Sequence, residues 1–409
     1  LGDAPGRHEW MLSAAVLFPS EASGRRLGAL AREWARKHQE KAKRACSALA
    51  QLADDRALMH LAHIAETTRF DALRQHSRDL VLEAADARGL TPDELGDRTV
   101  PDLGLAPDGT LALSYGARAL TVSLDEALRP LVRVGGAQGS PGASGAGSRS
   151  LPRPTREDDP EAVKAAKARF DALRADLEAV ADRERRRMER AMVSGREWGL
   201  EAFRTLLVAH PLVGSLARRL VWSARGPSGA RTFRVAEDGS LADVRDASLE
   251  LPAGATVRVA HPVELPGDER AAWAGLFADY AILQPFEQLG RAVASPTPKE
   301  RRATALERVA GRAVSAPKAL GTLESRGFRR ASAGEVGLFL RDAVGADGAR
   351  LSVRLSVRPG CDISDLAHSP PQTTGAATVV DARGEGLTFG ALSARDFSEL
   401  VRDGLALGA

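Results

Sequence analysis

The sequence predicts an α+β fold: a helical N-terminal region followed by mixed helices and antiparallel hairpins. Three observations predict it. Residues 9–98 are dominated by Ala, Leu and Arg, all strong helix formers. From Val100 onward, short apolar runs are separated by turn signals such as Pro107-Asp108-Gly109. Strands and helices then come in separate runs, not as repeating βαβ units, which argues against a doubly wound parallel sheet. The expected organisation is a helical region (1–98), a small β-meander with a closing helix (99–134), a flexible linker or loop insertion (135–158) and an α+β domain (159–409).

Each element has a local reason. The segment from Arg25 to Ala50 carries a basic polar face, and residues 9–98 read as a stack of helical hairpins. Thr91-Pro92-Asp93-Glu94 is a capping box with Pro in the first turn. Thr110–Tyr115 and Leu120–Leu124 read as strands, and Ser123-Leu124-Asp125-Glu126 as a second capping box that opens the closing helix. Gly135–Ser150 is rich in Gly, Ser and Pro and cannot bury a core. A long helix starts at Asp159-Pro160. Its stripe of Val163, Phe170, Leu173, Leu177 and Val180 follows the helical period. The stretch from Trp198 to Trp222 reads as two shorter helices broken at His210-Pro211. A hairpin is expected over Thr232–Val244, a strand at Val257–Ala260 and a helix over Asp268–Tyr280, with Trp273, Phe277 and Tyr280 on one face. Thr297-Pro298-Lys299-Glu300 caps a further helix. Leu338–Val344 and Arg350–Val357 form the clearest hairpin. Leu351, Val353, Leu355 and Val357 alternate with polar residues there, as a strand with one wet face does. A strand at Thr378–Ala382 and a helix over Ser393–Leu407 close the chain. Trp198, Trp222 and Trp273 are expected in the core.

Composition narrows the function. Lys and Arg total 57 against 54 Asp and Glu, a net charge of +3 over 409 residues. Bulk charge therefore gives no case for nucleic-acid or membrane binding. Two cysteines, Cys46 and Cys361, exclude a disulfide framework and fit a reducing compartment, so a cytoplasmic location is expected. No apolar run approaches the length of a membrane span. The first residue is not Met, so the chain is expected to begin inside a longer polypeptide.

The standard catalytic motifs are absent: no P-loop, no His-Glu-x-x-His and no Gly-x-Ser-x-Gly. No cofactor and no metal is expected. The pair His60 and His63, near Asp54, Asp55 and Glu66, reads as a solvated helix face unless a third ligand joins it. The repeated tetrapeptides Val208-Ala209-His210-Pro211 and Val259-Ala260-His261-Pro262 place a His at each of two chain breaks. There His210 and His261 either satisfy freed backbone groups or act in ligand binding or proton transfer, since imidazole titrates near neutral pH. Gln284, Gln288 and Arg291 surround another break at Pro285 and either line a pocket or cap the backbone. Arg218, Arg219 and Trp222 are candidates for anion or nucleic-acid binding if the Trp is exposed. Arg183–Arg190, interleaved with Asp182, Glu184 and Glu189, reads as a solvated face of helical ion pairs.

The order of several segments carries a resemblance. Ser114-Tyr115-Gly116-Ala117-Arg118 is followed by Trp198 with Phe203, then by His210-Pro211-Leu212 running to Leu220-Val221-Trp222. After these come Phe233 with Asp238-Gly239, His261-Pro262 and Gln284-Pro285-Phe286-Glu287-Gln288, and at the end Phe397 to Asp403. Over residues 90–409 this resembles the large domain of unknown function in bacterial MolR-like proteins, some of which carry a WGR domain. No WGR domain is visible in this sequence. The resemblance implies association with MoxR-type AAA+ ATPases and von Willebrand factor A proteins, and it brings no catalytic mechanism. The leading expectation is therefore a non-catalytic interaction or regulatory module with such protein partners. The alternatives are an enzyme or small-ligand receptor using His261, Gln284, Gln288, Arg291 and His210, and a nucleic-acid-binding module.

Overall fold

The computed structural model describes residues 21–52, 54–68, 70–135, 147–227, 229–331, 337–360 and 369–408, together with residues 12, 16 and 17. Its strands pair antiparallel, and its helices lie between hairpins and not in βαβ crossovers, so the protein is α+β. The chain divides into two units: Leu1–Asp182 with Arg204–Ser215, and Arg183–Phe203 with Leu216–Ala409. No helix among the described residues is long and apolar enough to cross a membrane.

The first unit begins with helices α1 (Glu21–Trp34), α2 (Gln39–Leu52), α3 (Asp55–Thr67), α4 (Asp71–Ala87) and α5 (Pro92–Arg98). Leu27, Leu30 and Trp34 of α1, Cys46 and Leu49 of α2, Leu58 and Leu61 of α3, and Leu73 of α4 form one buried cluster. Their i, i+3 spacing puts the apolar side of each helix on that core. Asp54 caps α3 by accepting the Ala57 N–H at 2.6 Å, and the expected capping box of Thr91 and Glu94 opens α5.

Strands β1 (Leu111–Ser114), β2 (Ala119–Leu124) and β3 (Pro130–Gly135) form the expected meander, with Leu113 facing Leu120 and Val122 facing Val132. The closing helix is not present. Residues 125–129 make a tight turn, in which the Asp125 carboxylate accepts the N–H groups of Ala127 and Arg129. An acidic residue after Ser-Leu suits an Asx turn as well as a helix cap, and the ladder to β3 selects the turn. Of the expected linker, residues 136–146 lie outside the described residues. Residues 147–158 are not a free spacer. Ser148 exchanges two backbone hydrogen bonds with Val132, the Tyr115 hydroxyl donates to the Pro152 carbonyl, and Arg118 pairs with Asp158. The helical region, the meander and the start of the next helix thus fall within one unit.

That helix, α6 (Pro160–Ser194), runs 35 residues, and the chain enters the second unit along it. Phe170, Leu173, Leu177 and Val180 are buried, as the stripe predicts, and Val163 is half-buried. The expected pair of helices over Trp198–Trp222 is corrected. Trp198 lies on β4 (Trp198–Gly199) and Trp222 opens β5 (Trp222–Gly226). Between them come α7 (Leu200–Ala202), a π-helical turn over Phe203–Val208 and α8 (Val213–Ala217). The wide turn makes room for the next segment: a Cβ on Gly214 would lie 2.5 Å from the Val208 carbonyl oxygen. Both tryptophans are strand residues because each pairs across to one distant strand, Trp198 with Val257 and Trp222 with Val259. Both are nevertheless core residues, with rings edge-to-face at 5.9 Å.

Among the described residues, the second unit holds two sheets. The first has the order β4-β8-β5-β6-β7, with β6 (Gly229–Val235), β7 (Leu241–Ala242) and β8 (Thr256–Val259). Helix α9 (Gly267–Asp279) buries Trp273 and Phe277, and Tyr280, expected on the same face, is half-exposed at its C-terminus. Helix α10 (Pro298–Arg302) starts at the expected Thr297–Glu300 capping box. Strands β9 (Ala305–Leu306) and β10 (Ala313–Val314), helix α11 (Ala316–Ser325) and strand β11 (Arg329–Arg330) follow.

The larger sheet is centred on β12 (Leu338–Val344) and β13 (Arg350–Arg358), the hairpin read from sequence. It is completed by β14 (Gln372–Thr374), β15 (Ala377–Val380) and β16 (Gly386–Leu387). Phe339, Val353, Leu355, Val357 and Val379 form its inner face, packed with Leu323 of α11 and with Phe397 and Leu400 of α12 (Ala394–Ala406). Ser393 caps α12 by accepting the Asp396 N–H.

Candidate functional site

The second unit gathers four polar side chains that sequence places far apart, and its final helix is the reason. Asp396, Glu399 and Asp403 recur at three- and four-residue spacing on α12, so they share one side of it. That side is buried together with Phe397, Leu400 and Val401. Each carboxylate therefore needs a partner brought from elsewhere in the chain.

Glu399 finds two. Its Oε1 accepts from Arg291 Nε at 2.7 Å and from His261 Nε2 at 3.0 Å, and its Oε2 accepts from Arg291 Nη2 at 2.6 Å. The Arg291 fork is thus bidentate. Its remaining terminal nitrogen, Nη1, donates to Glu189 Oε1 of α6 at 2.7 Å. The side chains of His261, Arg291 and Glu399 are each 1% exposed, whereas Glu189 is 34% exposed and still meets water. Burial alone would raise the Glu399 carboxyl, but the hydrogen bonds from Arg291 and His261 outweigh it and hold Glu399 well below the usual carboxylate range. Burial alone would lower Arg291, and its pairing with Glu399 and Glu189 instead fixes its charge more firmly.

His261 is fully committed. It ends the chain segment after β8 and caps the short turn Pro262–Glu264: its Nδ1 accepts the Val263 N–H at 3.2 Å while Nε2–H donates to Glu399. This fixes the neutral Nε2–H tautomer in the hydrogen-bond pattern. Neither nitrogen is available to a substrate.

Gln288 is equally saturated. Its Nε2 donates to the Val221 and Ala260 carbonyls at 2.7 and 2.8 Å, and its Oε1 accepts from Val221 N–H at 2.9 Å and from Gln284 Nε2 at 2.7 Å. The side-chain amide stands in for a peptide group where the β5–β8 ladder ends. Gln284 accepts the Leu289 N–H, and so closes the turn that carries Gln288. Arg270 then fastens the same loop through the Leu289 and Arg291 carbonyls.

The structure thus brings His261 and Arg291 to Glu399 of α12, while Gln288 and Gln284 tie the Val221 and Ala260 backbone, and the result is a closed fastening and not a cleft. His210 belongs to the first unit. Its Nδ1 accepts the Leu212 and Val213 N–H groups at 3.2 Å, and its Nε2 faces the Val100 carbonyl at 3.2 Å. It caps the break at Pro211, the structural one of its two readings. The anion candidates do not assemble as proposed. Trp222 is 0% exposed, and its indole N–H donates to the Ala217 carbonyl, so its face cannot stack on a base. Arg219 reaches the Leu283 carbonyl. The Arg183–Arg190 stretch is not purely a solvated face: Glu184 is 1% exposed and pairs with Arg183 and Arg187.

In the first unit, His63 lies 3.8 Å from Asp176, and burial with the nearby Arg32 guanidinium pushes His60 down to about 4. The Glu66 side chain lies outside the described residues. No group of three or more His, Cys, Asp or Glu able to hold a metal ion occurs among the described residues.

The roles of Glu399 and Asp403 as buried partners escaped sequence reasoning, and Glu189, read as part of a solvated helix face, instead accepts from the buried Arg291. Asp403 is held between Arg326 and Arg341, a second buried pairing on α12. The signal that could have found it was on α12 itself: three acids on the stripe that also carries the apolar residues.

Two comparisons with known proteins bear on this chain. The model of a family described as a domain of unknown function (DUF4132) matches residues 145–328. That stretch contains His261, Gln288 and Arg291 but stops short of Glu399. A curated protein of Escherichia coli (strain K12), "Uncharacterized protein YehI", is 33% identical over 325 residues, covering 78% of this chain. The chain spans about a quarter of that relative's length, 26%. No solved structure matches.

Proposed function

We propose that the chain is a non-catalytic interaction or regulatory module that works with a MoxR-type AAA+ ATPase and von Willebrand factor A partners. The observation that supports this reading is the fate of the chemically able side chains. His261, Arg291 and Glu399 spend their polar atoms on one another, on Glu189 and on the backbone, and so hold α12 in place, while Gln288 spends its own on Gln284 and on the Val221 and Ala260 backbone. A rigid body fastened in this way presents surfaces for partners. The partner class follows from the resemblance to MolR-like proteins, and a cytoplasmic location goes with it.

The test is affinity purification of the chain from its source bacterium at low and high salt, followed by mass spectrometry of retained proteins and small molecules. Co-purification of a MoxR-type ATPase, with a changed ATPase rate on reconstitution, is the expected result. Retention of a small molecule, with no ATPase or von Willebrand factor A protein present, would overturn the reading.

A further inference from the structure

A concentrated positive charge lies at the tip of the α1–α2 hairpin in the first unit. Residues 36–44 hold five cations, Arg36, Lys37, Lys41, Lys43 and Arg44, and one acid, Glu40, whereas the whole chain carries a net charge of +3. The fold presents them outward. Trp34, Ala35, Ala42 and Ala45 are buried together and draw the two helices toward one another beneath the turn. The Trp34 carbonyl accepts the N–H groups of Lys37 and His38 at 3.2 and 2.8 Å, and the His38 carbonyl accepts the Ala42 N–H at 3.0 Å. The backbone of the tip is therefore fixed, while residues 36–40 and Arg44 are exposed.

The nearby acids do not cancel this charge. Glu40 is drawn to Lys43 at 2.9 Å. On α4, which meets α2 through Ser47 and His76, Asp71 is paired with Arg74 at 2.9 Å. Glu33, one turn back on α1, is exposed. Against Glu33, Glu40 and Asp71, the five cations of the tip and Arg74 leave an excess of three positive charges. Arg36, Lys37 and Lys41 carry that excess, for none of these three side chains has an ion pair or hydrogen bond among the described residues.

We infer that this tip binds the sugar-phosphate backbone of a nucleic acid, without sequence preference. A chain with a phosphate at every nucleotide meets several fixed cations at once and releases the counterions condensed on it. The exposed His38 and Gln39 side chains stand between the cations and add hydrogen-bonding groups for phosphate and sugar. The apolar residues of the tip, Trp34, Ala35 and Ala42, are all buried. The tip therefore offers no side chain for insertion into a bilayer and no apolar anchor for a protein partner, which leaves charge as the basis of recognition. The inference goes beyond the interaction-module reading and does not rest on it. It also differs from the Arg218–Trp222 candidate, whose indole is buried in the other unit.

The experiment uses the full chain and a fluorescein-labelled DNA duplex of mixed sequence, followed by fluorescence anisotropy as salt is varied. Phosphate contacts from Arg36, Lys37 and Lys41 predict a slope of log affinity against log salt of about −3. Arg36→Gln, Lys37→Gln and Lys41→Gln should each weaken binding by about two- to fivefold, and each should make the slope shallower by about one. The triple variant should lose most of the salt dependence. Its melting temperature should match the parent, because none of the three side chains is bonded to the fold. Lys37→Arg combined with Lys41→Arg should keep the binding. No binding of the duplex at low salt would overturn the inference, as would an unchanged slope in the triple variant. Tighter binding to phosphatidylserine vesicles would make the partner a membrane surface, and equal binding of polyglutamate would remove any preference for a phosphate backbone; either result overturns it too.

Discussion

Replacing Glu399 with Gln tests the fastening directly. The change keeps the shape of the side chain and removes the charge that Arg291 and His261 both face. Arg291 then keeps only Glu189, which is partly in water, as its anionic partner. Breaking a buried ion pair by removing one member costs about 3–5 kcal/mol, because the survivor is left charged and buried. Glu189 offsets some of that cost, so the lower end, about 3 kcal/mol, is expected. In a unit of this size it corresponds to a fall in Tm of roughly 6–12 °C. Urea denaturation followed by tryptophan fluorescence measures it, since Trp198, Trp222 and Trp273 are all buried in the same unit. The double variant Glu399→Leu with Arg291→Met removes both charges. It should lose less than the sum of the two single changes, by about 2 kcal/mol, as expected for groups in direct contact. A Glu399→Gln variant within about 0.5 kcal/mol of the parent, with additive behaviour in the cycle, would show that the cluster is incidental to stability.

Three further outcomes follow from buried groups. Trp222→Ala should cost about 3–5 kcal/mol by cavity formation, and an unchanged denaturation midpoint would refute its place in the core. Gln288→Leu leaves the Val221 N–H and the Ala260 carbonyl short of a partner. It should cost about 2–4 kcal/mol, and hydrogen exchange at Val221 should rise; unaltered exchange there would contradict the amide's bridging role. His60 is held at about 4 in the fold against an ordinary value near 6.5, so the unfolded chain takes up its proton first. Its contribution to stability is complete above pH 6.5 and is lost as pH falls toward 4, at most about 3 kcal/mol. His60→Gln should flatten that slope, and an equally steep slope in the variant would rule the histidine out as its source.

What sequence made legible was whatever local pattern decides. The β12–β13 hairpin announced itself because alternation of Leu351, Val353, Leu355 and Val357 leaves no other way to bury one face. The Thr91 and Thr297 caps were readable because each needs only four consecutive residues. Trp198 and Trp222 were placed on helices because their neighbours are helix formers, while the β8 strand that recruits them lies more than thirty residues away. The turn at Asp125 went the same way: Ser and Glu around it fit a helix cap, and only pairing with β3 excludes one. At the candidate site, sequence offered His261, Gln288 and Arg291 either as ligand-binding groups or as partners for freed backbone groups, and Trp222, expected in the core, is buried there. Their shared partner could not be read, because Glu399 stands 108 residues beyond Arg291 and 138 beyond His261, with no pattern linking them.

The burial of α12 decides where this polypeptide can be cut. The match to the DUF4132 model covers residues 145–328, which invites a fragment with those bounds. Such a fragment would retain Arg291 and His261 but discard the carboxylate they share, together with the β12–β13 hairpin and the helix packed on it. At its other end it would take Pro152 and Asp158 away from Tyr115 and Arg118, which hold them. The stretch matched by that model and the stretch that folds together are therefore different lengths here, and the second reaches the thirteen-residue helix Ala394–Ala406. Truncation from the C-terminal side should consequently behave as a switch and not a ramp: solubility kept while Asp403 remains, and lost in one step once Glu399 is removed.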